Sequence, residues 1–349
     1  MLKLSHAKTV GMATALALVL TLSACGASEE VATTETASSG EGATQYPLTI
    51  ENCGEEVTFD QAPQRVVSLD QGTTEILLSL GLEDKMVGTA SWTDPVLPEL
   101  ESANEKVKRL SDNAPTYEVV LDTDPDFITA SFGRHYKAEG GVATRERFAE
   151  TNINSFLSAT DCEGSMSING GGTRTKPLTV DKVYEDIETL AKIFDVQDRG
   201  DKLITELKTE VASAQDRIGK AGDGKTVAYW FADTKTPYFA GGLGNAAIYS
   251  DNSGLKNVYA DVKDDWPAGT WEGLVEKNPD ILVLGDLSRN RLPGDKLADK
   301  KEFLASDPLT KNVKAVEDKA YIPMHGAELN PSIRFADGLN KIADYLEKK

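Results

Sequence analysis

The sequence predicts an α/β protein built from two similar, doubly wound lobes. The first observation is a gapless repeat, in which Ala114–Ile128 aligns with Ala268–Leu282. Each copy has a Thr before a short amphipathic segment, then a Pro-Asp turn and an apolar run. Apolar strand patterns also alternate with helical patterns along the chain, which is typical of parallel strands covered by helices. Finally, the longest helical tract lies between the two copies, so the repeat favours two lobes over a solenoid of short repeats.

Composition and charge narrow the classes of function. The chain has 349 residues, of which 40% are hydrophobic and 27% are charged, and this is typical of a soluble protein with room for two cores. Its net charge of -19 argues against nucleic acid, because nucleic-acid-binding proteins neutralise phosphates with Lys and Arg. The same charge argues against electrostatic adhesion to anionic lipid. We therefore expect no nucleic-acid partner, and contact with a membrane only through an anchor.

The N-terminal segment has the pattern of an export signal. Two lysines precede the run Val10–Leu22, which is apolar but short for a transmembrane helix. The run ends in Leu-Ser-Ala-Cys-Gly, which resembles the lipobox of bacterial lipoproteins, where the signal is cut before a Cys that is then lipidated. We expect residues 1–24 to be a lipoprotein signal peptide, Cys25 to carry the lipid, and residues 25–45 to be a disordered tether outside the cell membrane. The alternative is an ordinary secretory signal with an incidental Cys.

The first lobe is predicted to begin with a hairpin and to continue with alternating strands and helices. The hairpin spans Tyr46–Phe59 and turns at Cys53-Gly54. A helix over Thr73–Leu80 is ended by Gly81. The predicted strands of this lobe are Ala62–Leu69, Met86–Ala90, Phe127–Ala130 and Asn154–Leu157.

From Thr179 the pattern becomes helical, and strands return after about Arg217. Apolar residues at helical spacing form two successive stripes in this tract. A closing helix is predicted over Ser332–Leu346. The strands predicted after the tract are Thr226–Phe231, Tyr238–Ala240, Leu255–Ala260, Ile281–Leu284 and Ala320–Pro323.

Taken in order, these segments resemble the substrate-binding lipoproteins of ABC importers for ferric siderophores, haem and cobalamin. Ala62–Leu69 with Thr74-Glu75 and Leu80-Gly81-Leu82 is similar to the first strand and helix of that family, and the two repeat copies are similar to its lobe signatures. The resemblance covers residues 46–349. It implies the helical-backbone periplasmic-binding-protein fold, with lobes at 46–178 and 200–349, a single long helix over 179–199 and a ligand cleft between the lobes.

The resemblance also implies partners and a ligand. One Glu on each lobe, Glu118 and Glu272, is expected to dock to Arg residues of the permease, because Arg binds carboxylates bidentately. The expected protein is a monomer and not an enzyme, it holds no covalent cofactor, and it carries a metal chelate, foremost a ferric siderophore. Another organic cofactor (cobalamin, haem or a deazaflavin precursor) stays open as the alternative ligand. An exported lipoprotein enzyme and a structural or adhesive lipoprotein stay open as alternatives of other classes.

Three further sequence features predict a disulfide and argue against a nucleotide site and a zinc site. Cys53 and Cys162 are expected to form a disulfide in an exported protein, with two separate buried thiols as the alternative. Gly219–Thr226 matches the P-loop pattern, but a helix precedes it and a strand follows, which is the reverse of a P-loop. After the signal only His135 and His325 remain, so a zinc site of three His is excluded.

Candidate ligand contacts are taken from loops that follow predicted strands, where ligands of open α/β sheets bind. Aromatic and Arg side chains suit a bulky, partly apolar and often anionic ferric siderophore. The candidates are Trp92, Arg134, Tyr136, Tyr238, Trp266, Arg289 and His325, with Arg145 and Arg174 as weaker ones.

Overall fold

Two parallel β-sheets and one hairpin organise the chain. This computed structural model describes residues 44–162 and 174–348. The hairpin pairs β1 with β2, the first lobe has a sheet of five strands, and the second lobe has a sheet of four. The strands are β1 (Leu48–Asn52), β2 (Glu55–Phe59), β3 (Val66–Ser68), β4 (Met86–Ala90), β5 (Arg109–Ser111), β6 (Phe127–Ala130), β7 (Asn154–Leu157), β8 (Thr226–Trp230), β9 (Lys256–Asn257), β10 (Ile281–Asp286) and β11 (Tyr321–His325).

Helices connect and cover the strands, and short 3-10 turns supplement them. The α/β class and the parallel sheets are those predicted from the alternation of patterns. The helices are α1 (Gln71–Ser79), α2 (Glu101–Asn104), α3 (Tyr117–Leu121), α4 (Arg145–Ala149), α5 (Asp181–Ile193), α6 (Gln197–Ile218), α7 (Asn245–Ser253), α8 (Trp271–Lys277), α9 (Leu297–Ser306), α10 (Lys314–Glu317), α11 (Gly326–Leu329) and α12 (Phe335–Leu346).

Each sheet reverses its strand order beside its first strand. The orders are β5-β4-β3-β6-β7 and β11-β10-β8-β9, and every neighbouring pair is parallel. In sheets of this kind a crevice opens at the carboxyl ends of the two strands that flank the reversal. The first lobe therefore has its crevice after β3 and β6, and the second lobe has its own after β8 and β10.

The two repeat copies adopt the same local structure. Thr116 caps α3 by accepting from the Val119 amide, and Thr270 caps α8 by accepting from the Gly273 amide. At the other end of each copy an Asp fixes the start of the neighbouring strand: Asp126 accepts from the Arg65 amide at 2.9 Å. Asp280 accepts from the Thr226 amide, also at 2.9 Å. The same side chains thus join helix, turn and sheet in both lobes.

The helical tract between the lobes consists of two helices. The chain breaks between α5 and α6, where Asp195 has a φ of 56°. The long helix is α6, with 22 residues. Arg199 near its start donates to the Leu80 carbonyl in the first lobe at 2.9 Å, and Arg217 near its end contacts α12. The predicted range 179–199 therefore contains α5, the break and only the first three residues of α6, the helix that reaches both lobes.

A single apolar core extends through both lobes. It runs from Phe127 in the first sheet past Leu190 of α5 and Leu207 of α6 to Val283 in the second sheet. Two smaller cores cover the outer faces of the sheets. These buried strands are near-continuous apolar runs because helices cover them on both sides.

The predicted signal peptide and most of the tether, including Cys25, lie outside the described residues. The last tether residues are described: the Thr44 hydroxyl donates to the Lys192 carbonyl at 2.6 Å, at the end of α5. Across the described part of the chain, no helix combines the length and the apolar character needed to cross a membrane.

Candidate functional site

A cleft of about 280 Å³ lies between the carboxyl ends of the two sheets. Both crevices open into it, because the segments after β3, β6, β8 and β10 all contribute side chains. The first lobe supplies Gln71, Gly72, Ser91, Thr93, Phe132 and Arg134. The second lobe supplies Phe231, Ala232, Tyr238, Trp266, Arg289, Arg291, Leu292, Ala327, Asn330, Pro331 and Ser332. Among these described lining residues there is no carboxylate, His, Met or Cys.

Three arginines give the cleft a strong positive charge inside an acidic protein. Burial lowers the pKa of Arg134 and of Arg289, and repulsion by Arg291 lowers both further. Asp70 and Asp295 offset part of this. Within the described part of the chain, Nε of Arg134 and Nε of Arg289 are buried without a hydrogen-bond acceptor. Because guanidinium groups stay charged at neutral pH, an anion in the cleft would relieve both the repulsion and the missing hydrogen bonds.

Aromatic rings form the apolar part of the cleft. The rings of Phe231 and Trp266 lie 4.9 Å apart, and the Arg289 guanidinium lies 5.2 Å above the Phe231 ring. On the facing lobe, the Arg134 guanidinium lies 5.3 Å from the Phe132 ring. These contacts hold the cations over aromatic faces without consuming their hydrogen-bond donors. The cleft is therefore suited to a ligand with a negatively charged shell and apolar or aromatic surface.

The lobes contact each other around the cleft. The Thr93 carbonyl accepts from the amides of Ser288 at 3.1 Å and Arg289 at 3.3 Å. The Arg291 guanidinium donates to Asn113 Oδ1 at 3.1 Å and to the Asp112 carbonyl. The segment after β10 therefore bridges from the second lobe to the first and closes one side of the cleft.

Four of the seven predicted ligand contacts line this cleft. They are Arg134, Tyr238, Trp266 and Arg289, and they come from both lobes. Their contact with a ligand stays a prediction. Arg134 follows the end of β6 and Arg289 follows the end of β10. Tyr238 takes part in an isolated bridge with Ala268, and Trp266 lies two residues before Ala268.

Trp92, Tyr136 and His325 are placed elsewhere. The Trp92 side chain is 5% exposed and faces the Arg109 guanidinium, 5.2 Å from its ring, because the turn at Ser91 (φ 53°) directs it away from the cleft. The Tyr136 hydroxyl donates to the Phe156 carbonyl at 3.0 Å and its ring packs beside Phe148. His325 lies beside α12 in a separate groove.

The two weaker arginine candidates are structural. Arg145 is buried and donates to the Asn52 carbonyl at 2.9 Å and to Ser155 Oγ at 2.9 Å. Arg174 is buried and makes a bidentate ion pair with Asp265, at 2.7 and 2.9 Å. Both guanidinium groups are thus engaged in holding loops of the protein.

Sequence reasoning missed lining residues in the first turn of one helix and in the link between two others. Gln71 and Gly72 lie in the first turn of α1, which begins there because Asp70 is its N-cap. Asn330–Ser332 form the link between α11 and α12. The position of Gln71, three residues after the end of β3, was a usable signal, because the strand-order reversal places that strand end at the crevice.

Comparison with known proteins decides the family. The model of the Periplasmic binding protein family matches residues 66–326, about three quarters of the chain. The chain belongs to the periplasmic binding protein family. Family members bind small molecules outside the cytoplasm and work with the permeases of ABC importers, so this periplasmic binding protein is a binding component and not an enzyme.

Individual relatives of this periplasmic binding protein are distant in sequence. An uncharacterized ABC transporter substrate-binding lipoprotein, YvrC of Bacillus subtilis (strain 168), is 24% identical over 253 residues, which cover 69% of this chain and 70% of that protein. The vitamin B12-binding protein of Yersinia pestis (strain Pestoides F) is 24% identical over 226 residues, 64% of this chain and 70% of that one.

Solved structures share the fold of this periplasmic binding protein along most of its length. A periplasmic binding protein from Veillonella parvula superposes with a TM-score of 0.73 at 24% identity, covering 86% of this chain and 98% of that chain. The ABC-type Fe3+-hydroxamate transport system protein of Saccharomonospora viridis superposes with a TM-score of 0.71 at 26% identity, covering 86% and 99%. These likenesses confirm the predicted two-lobed α/β fold.

The two carboxylates predicted to dock on a permease are exposed on equivalent helices of this periplasmic binding protein. Glu118 lies in the first turn of α3 and Glu272 in the first turn of α8, each two residues after its Thr N-cap. Hydrogen bonds from its own amide and from Thr116 lower the pKa of Glu118, and Arg147 adds to this. The docking role of both residues stays a prediction.

The structure joins Cys53 and Cys162 in the expected disulfide. The bond links the β1–β2 hairpin to the segment after β7. Beside it, the Asp161 carboxylate accepts from the Gly133 amide at 2.7 Å, so this corner also supports the loop that carries Phe132 and Arg134. In the described ranges 44–162 and 174–348, no group of three or more His, Cys, Asp or Glu is arranged to hold a metal ion.

Proposed function

We propose that this protein is a lipid-anchored receptor outside the cell membrane that captures a ferric siderophore of net negative charge and delivers it to an ABC importer. The observation that carries the proposal is the cleft itself: Arg134, Arg289 and Arg291 converge on it, and no carboxylate in its described lining opposes them. Asp70 and Asp295, which lie outside the lining, offset only part of this charge. A neutral ligand would leave the remainder unbalanced, whereas the anionic donor groups of a siderophore would accept hydrogen bonds from the arginines.

The rest of the cleft supports a chelate whose metal is already coordinated. Phe132, Phe231 and Trp266 offer aromatic faces to the organic shell of such a ligand. Tyr238 is the one lining side chain, among the described residues, with an oxygen that commonly ligates ferric iron. The protein would therefore bind the chelate through its periphery. The 26% identical Saccharomonospora viridis protein, named for Fe3+-hydroxamate transport, supports a siderophore as the cargo.

Cobalamin is the second candidate. The Yersinia vitamin B12-binding protein supports it, because it is one of the relatives most similar in sequence. Cobalamin presents a single phosphate, which would use one of the three arginines. Haem is a further candidate, because Tyr238 could supply the axial ligand that its iron requires, although no His or Met lies in the described lining. A deazaflavin precursor has no specific observation in its favour.

The experiment is a fluorescence titration of the mature protein. Trp266 lies in the cleft and its emission should be quenched by a ferric chelate bound against it. Ferric enterobactin (a trianion), ferrioxamine B (a monocation), haemin and cyanocobalamin would be titrated in parallel. We expect the trianion to bind tightest. Tight binding of cyanocobalamin with no response to either ferric chelate would replace the siderophore by a corrinoid, and turnover of a probe would revive the enzyme alternative.

Delivery to the permease would use one Glu on each lobe and the lipid anchor at Cys25. Glu118 and Glu272 project from equivalent helix starts, one on each lobe, so that two Arg residues of a permease could each donate hydrogen bonds to one carboxylate. Lipidation at Cys25 would hold the receptor near its permease while the tether leaves it free to collect ligand. Mass spectrometry of the N-terminal peptide after expression in a bacterial host tests the anchor: an unmodified Cys25 would contradict it.

A further inference from the structure

The segment Leu287–Asp295, which carries two of the three cleft arginines, is folded around one buried carboxylate. Asp295 Oδ2 accepts from the Arg291 amide at 2.8 Å and from the Leu292 amide at 2.9 Å. The Asp295 carbonyl accepts from the Leu287 amide at 2.9 Å, which closes the segment end to end. The same carboxylate lies 3.5 Å from Nε of Arg289. Asp295 thus touches the backbone or side chain of every arginine in this segment.

The base of the segment is fixed by a second buried charge. Asp295 is 1% exposed and Lys300 is fully buried beneath it. The Lys300 ammonium donates to the carbonyls of Gly294 and Asp295 and lies 5.1 Å from the Trp230 ring. Burial lowers the pKa of Lys300 to about 8, although Asp295 and Asp286 oppose that shift. Breaking a buried arrangement of this kind by removing one charge is strongly unfavourable, so the base is rigid.

The side chains that this segment presents to the cleft are Arg289, Arg291 and Leu292. A free Arg side chain has many rotamers, and a ligand that orders it must otherwise overcome the loss of that rotamer entropy. Asp295 restricts Arg289 directly and Arg291 through its backbone before any ligand arrives. The single negative charge of Asp295 faces the two positive charges of Arg289 and Arg291, so this residue orders both arginines without neutralising both.

We propose that Asp295 is a positioning residue of the cleft, which holds the wall formed by Arg289 and Arg291 in place and thereby sets the preference for an anionic ligand. This inference rests on the function proposed above for its ligand class, but the order of the segment can be measured without any ligand. Asp295 itself does not line the cleft.

The first test is hydrogen exchange of the ligand-free mature protein, comparing Asp295→Asn with Asp286→Asn. Asp286 is the matched control, because its carboxylate accepts from the Leu297 amide at 3.0 Å at the base of the same segment, and it is absent from the cleft lining. We expect amides of 287–295 to exchange about tenfold faster in Asp295→Asn, with the rest of the chain and the control unchanged. Unchanged exchange in 287–295, or an equal rise throughout the chain, would overturn the proposal.

The second test measures charge preference with two defined probes. Ferric enterobactin and ferrioxamine B are titrated into wild type, both Asn variants, Arg289→Gln and the Arg289→Gln/Asp295→Asn double variant. Asp295→Asn should weaken binding of the trianion about tenfold or more and of the monocation far less, and it should have a smaller effect when Arg289 is already replaced. Equal losses for both probes would show a structural role only and overturn the proposal.

Failure of the proposed function and failure of the positioning role of Asp295 would give different results. If wild type binds neither the trianion nor any other ferric chelate, the proposed function is wrong, while the exchange experiment still decides whether Asp295 orders the segment. If wild type prefers the trianion and Asp295→Asn retains that preference, the proposed function stands and the positioning role of Asp295 is wrong.

Discussion

Glu75 of the first lobe and Arg334 of the second form a buried ion pair across the junction between the lobes. Arg334 Nε donates to Glu75 Oε2 at 2.8 Å, and a second guanidinium nitrogen donates to the other carboxylate oxygen. Both side chains are almost fully buried, at 0% and 4% exposure. The pair lies near Asp94, whose carboxylate accepts from the Ala327 amide of the facing lobe at 2.9 Å. The lobes are therefore held together by oriented polar contacts as well as by their shared core.

Replacing either member of this pair should destabilise the protein strongly. Glu75→Gln or Arg334→Met leaves one buried charge without its partner, and we expect the free energy of unfolding to fall by about 3–5 kcal/mol. Urea denaturation followed by circular dichroism measures this. The double variant Glu75→Leu/Arg334→Met should recover part of the loss. A loss below about 1 kcal/mol for both single variants would mean that water reaches the site and screens it.

The cleft arginines should determine affinity for an anionic chelate. Arg134→Gln and Arg289→Gln each remove a charged donor, and each should weaken binding of ferric enterobactin by about 10- to 100-fold. Fluorescence titration measures the dissociation constants. Arg65→Gln is the control, because Arg65 precedes β3 at the opposite end of the sheet. Unchanged affinity in both cleft variants would place the ligand elsewhere.

Charge reversal at the predicted docking residues should separate transport from binding. Glu118→Lys and Glu272→Lys should abolish uptake of the labelled chelate by cells, because Lys repels the Arg residues expected on the permease, while the affinity of the purified protein stays within about twofold. Asp181→Lys is a matched control, since Asp181 is an exposed acid in the first turn of α5. Normal uptake by both Glu variants would exclude their docking role.

Asp186 should make stability depend on pH near neutrality. Burial raises the pKa of Asp186 to about 7, although the Ser158 hydroxyl and the Ala159 amide donate to it. The native state thus binds this proton more tightly than the unfolded state, so the stability that it contributes is full below pH 4 and is lost as pH rises to 7.

Comparison with Asp186→Asn isolates this effect, because the amide resembles the protonated acid. The unfolding free energy of the variant minus that of wild type should increase between pH 4 and pH 7 by up to roughly 4 kcal/mol, at about 1.4 kcal/mol per pKa unit, and stay level above that range. Denaturation series at several pH values measure it. A difference that is constant across this range would contradict the raised pKa.

The disulfide should contribute substantially to stability. Cys53 and Cys162 are 109 residues apart, and in the chain-entropy model closing so long a loop stabilises the fold by about 4–5 kcal/mol. The double variant Cys53→Ser/Cys162→Ser should unfold at a correspondingly lower denaturant concentration. A reducing agent should reproduce that shift in wild type and leave the double variant unchanged.

The sequence predicted most strands of the sheets because they are buried on both faces and therefore appear as apolar runs. It missed β5, which is not buried, and it predicted a strand at Tyr238–Ala240 where the structure has only isolated bridges. It predicted four cleft residues because polar and aromatic side chains directly follow those runs. It misplaced Trp92 and Tyr136 because the direction of a side chain after a strand depends on single backbone angles, such as the φ of 53° at Ser91. It joined α5 and the start of α6 because the apolar stripe continues through the break at Asp195, where no Gly or Pro marks an end.

The continuous core from Phe127 to Val283 bears on how a cargo would leave. Moving the two lobes far apart would expose this apolar core to water along α5 and α6. Thermal motion alone rarely supplies the free energy that this exposure requires. We therefore expect ligand release to be driven by the permease, which would bind both lobes at once and strain the receptor until its affinity for the ligand falls.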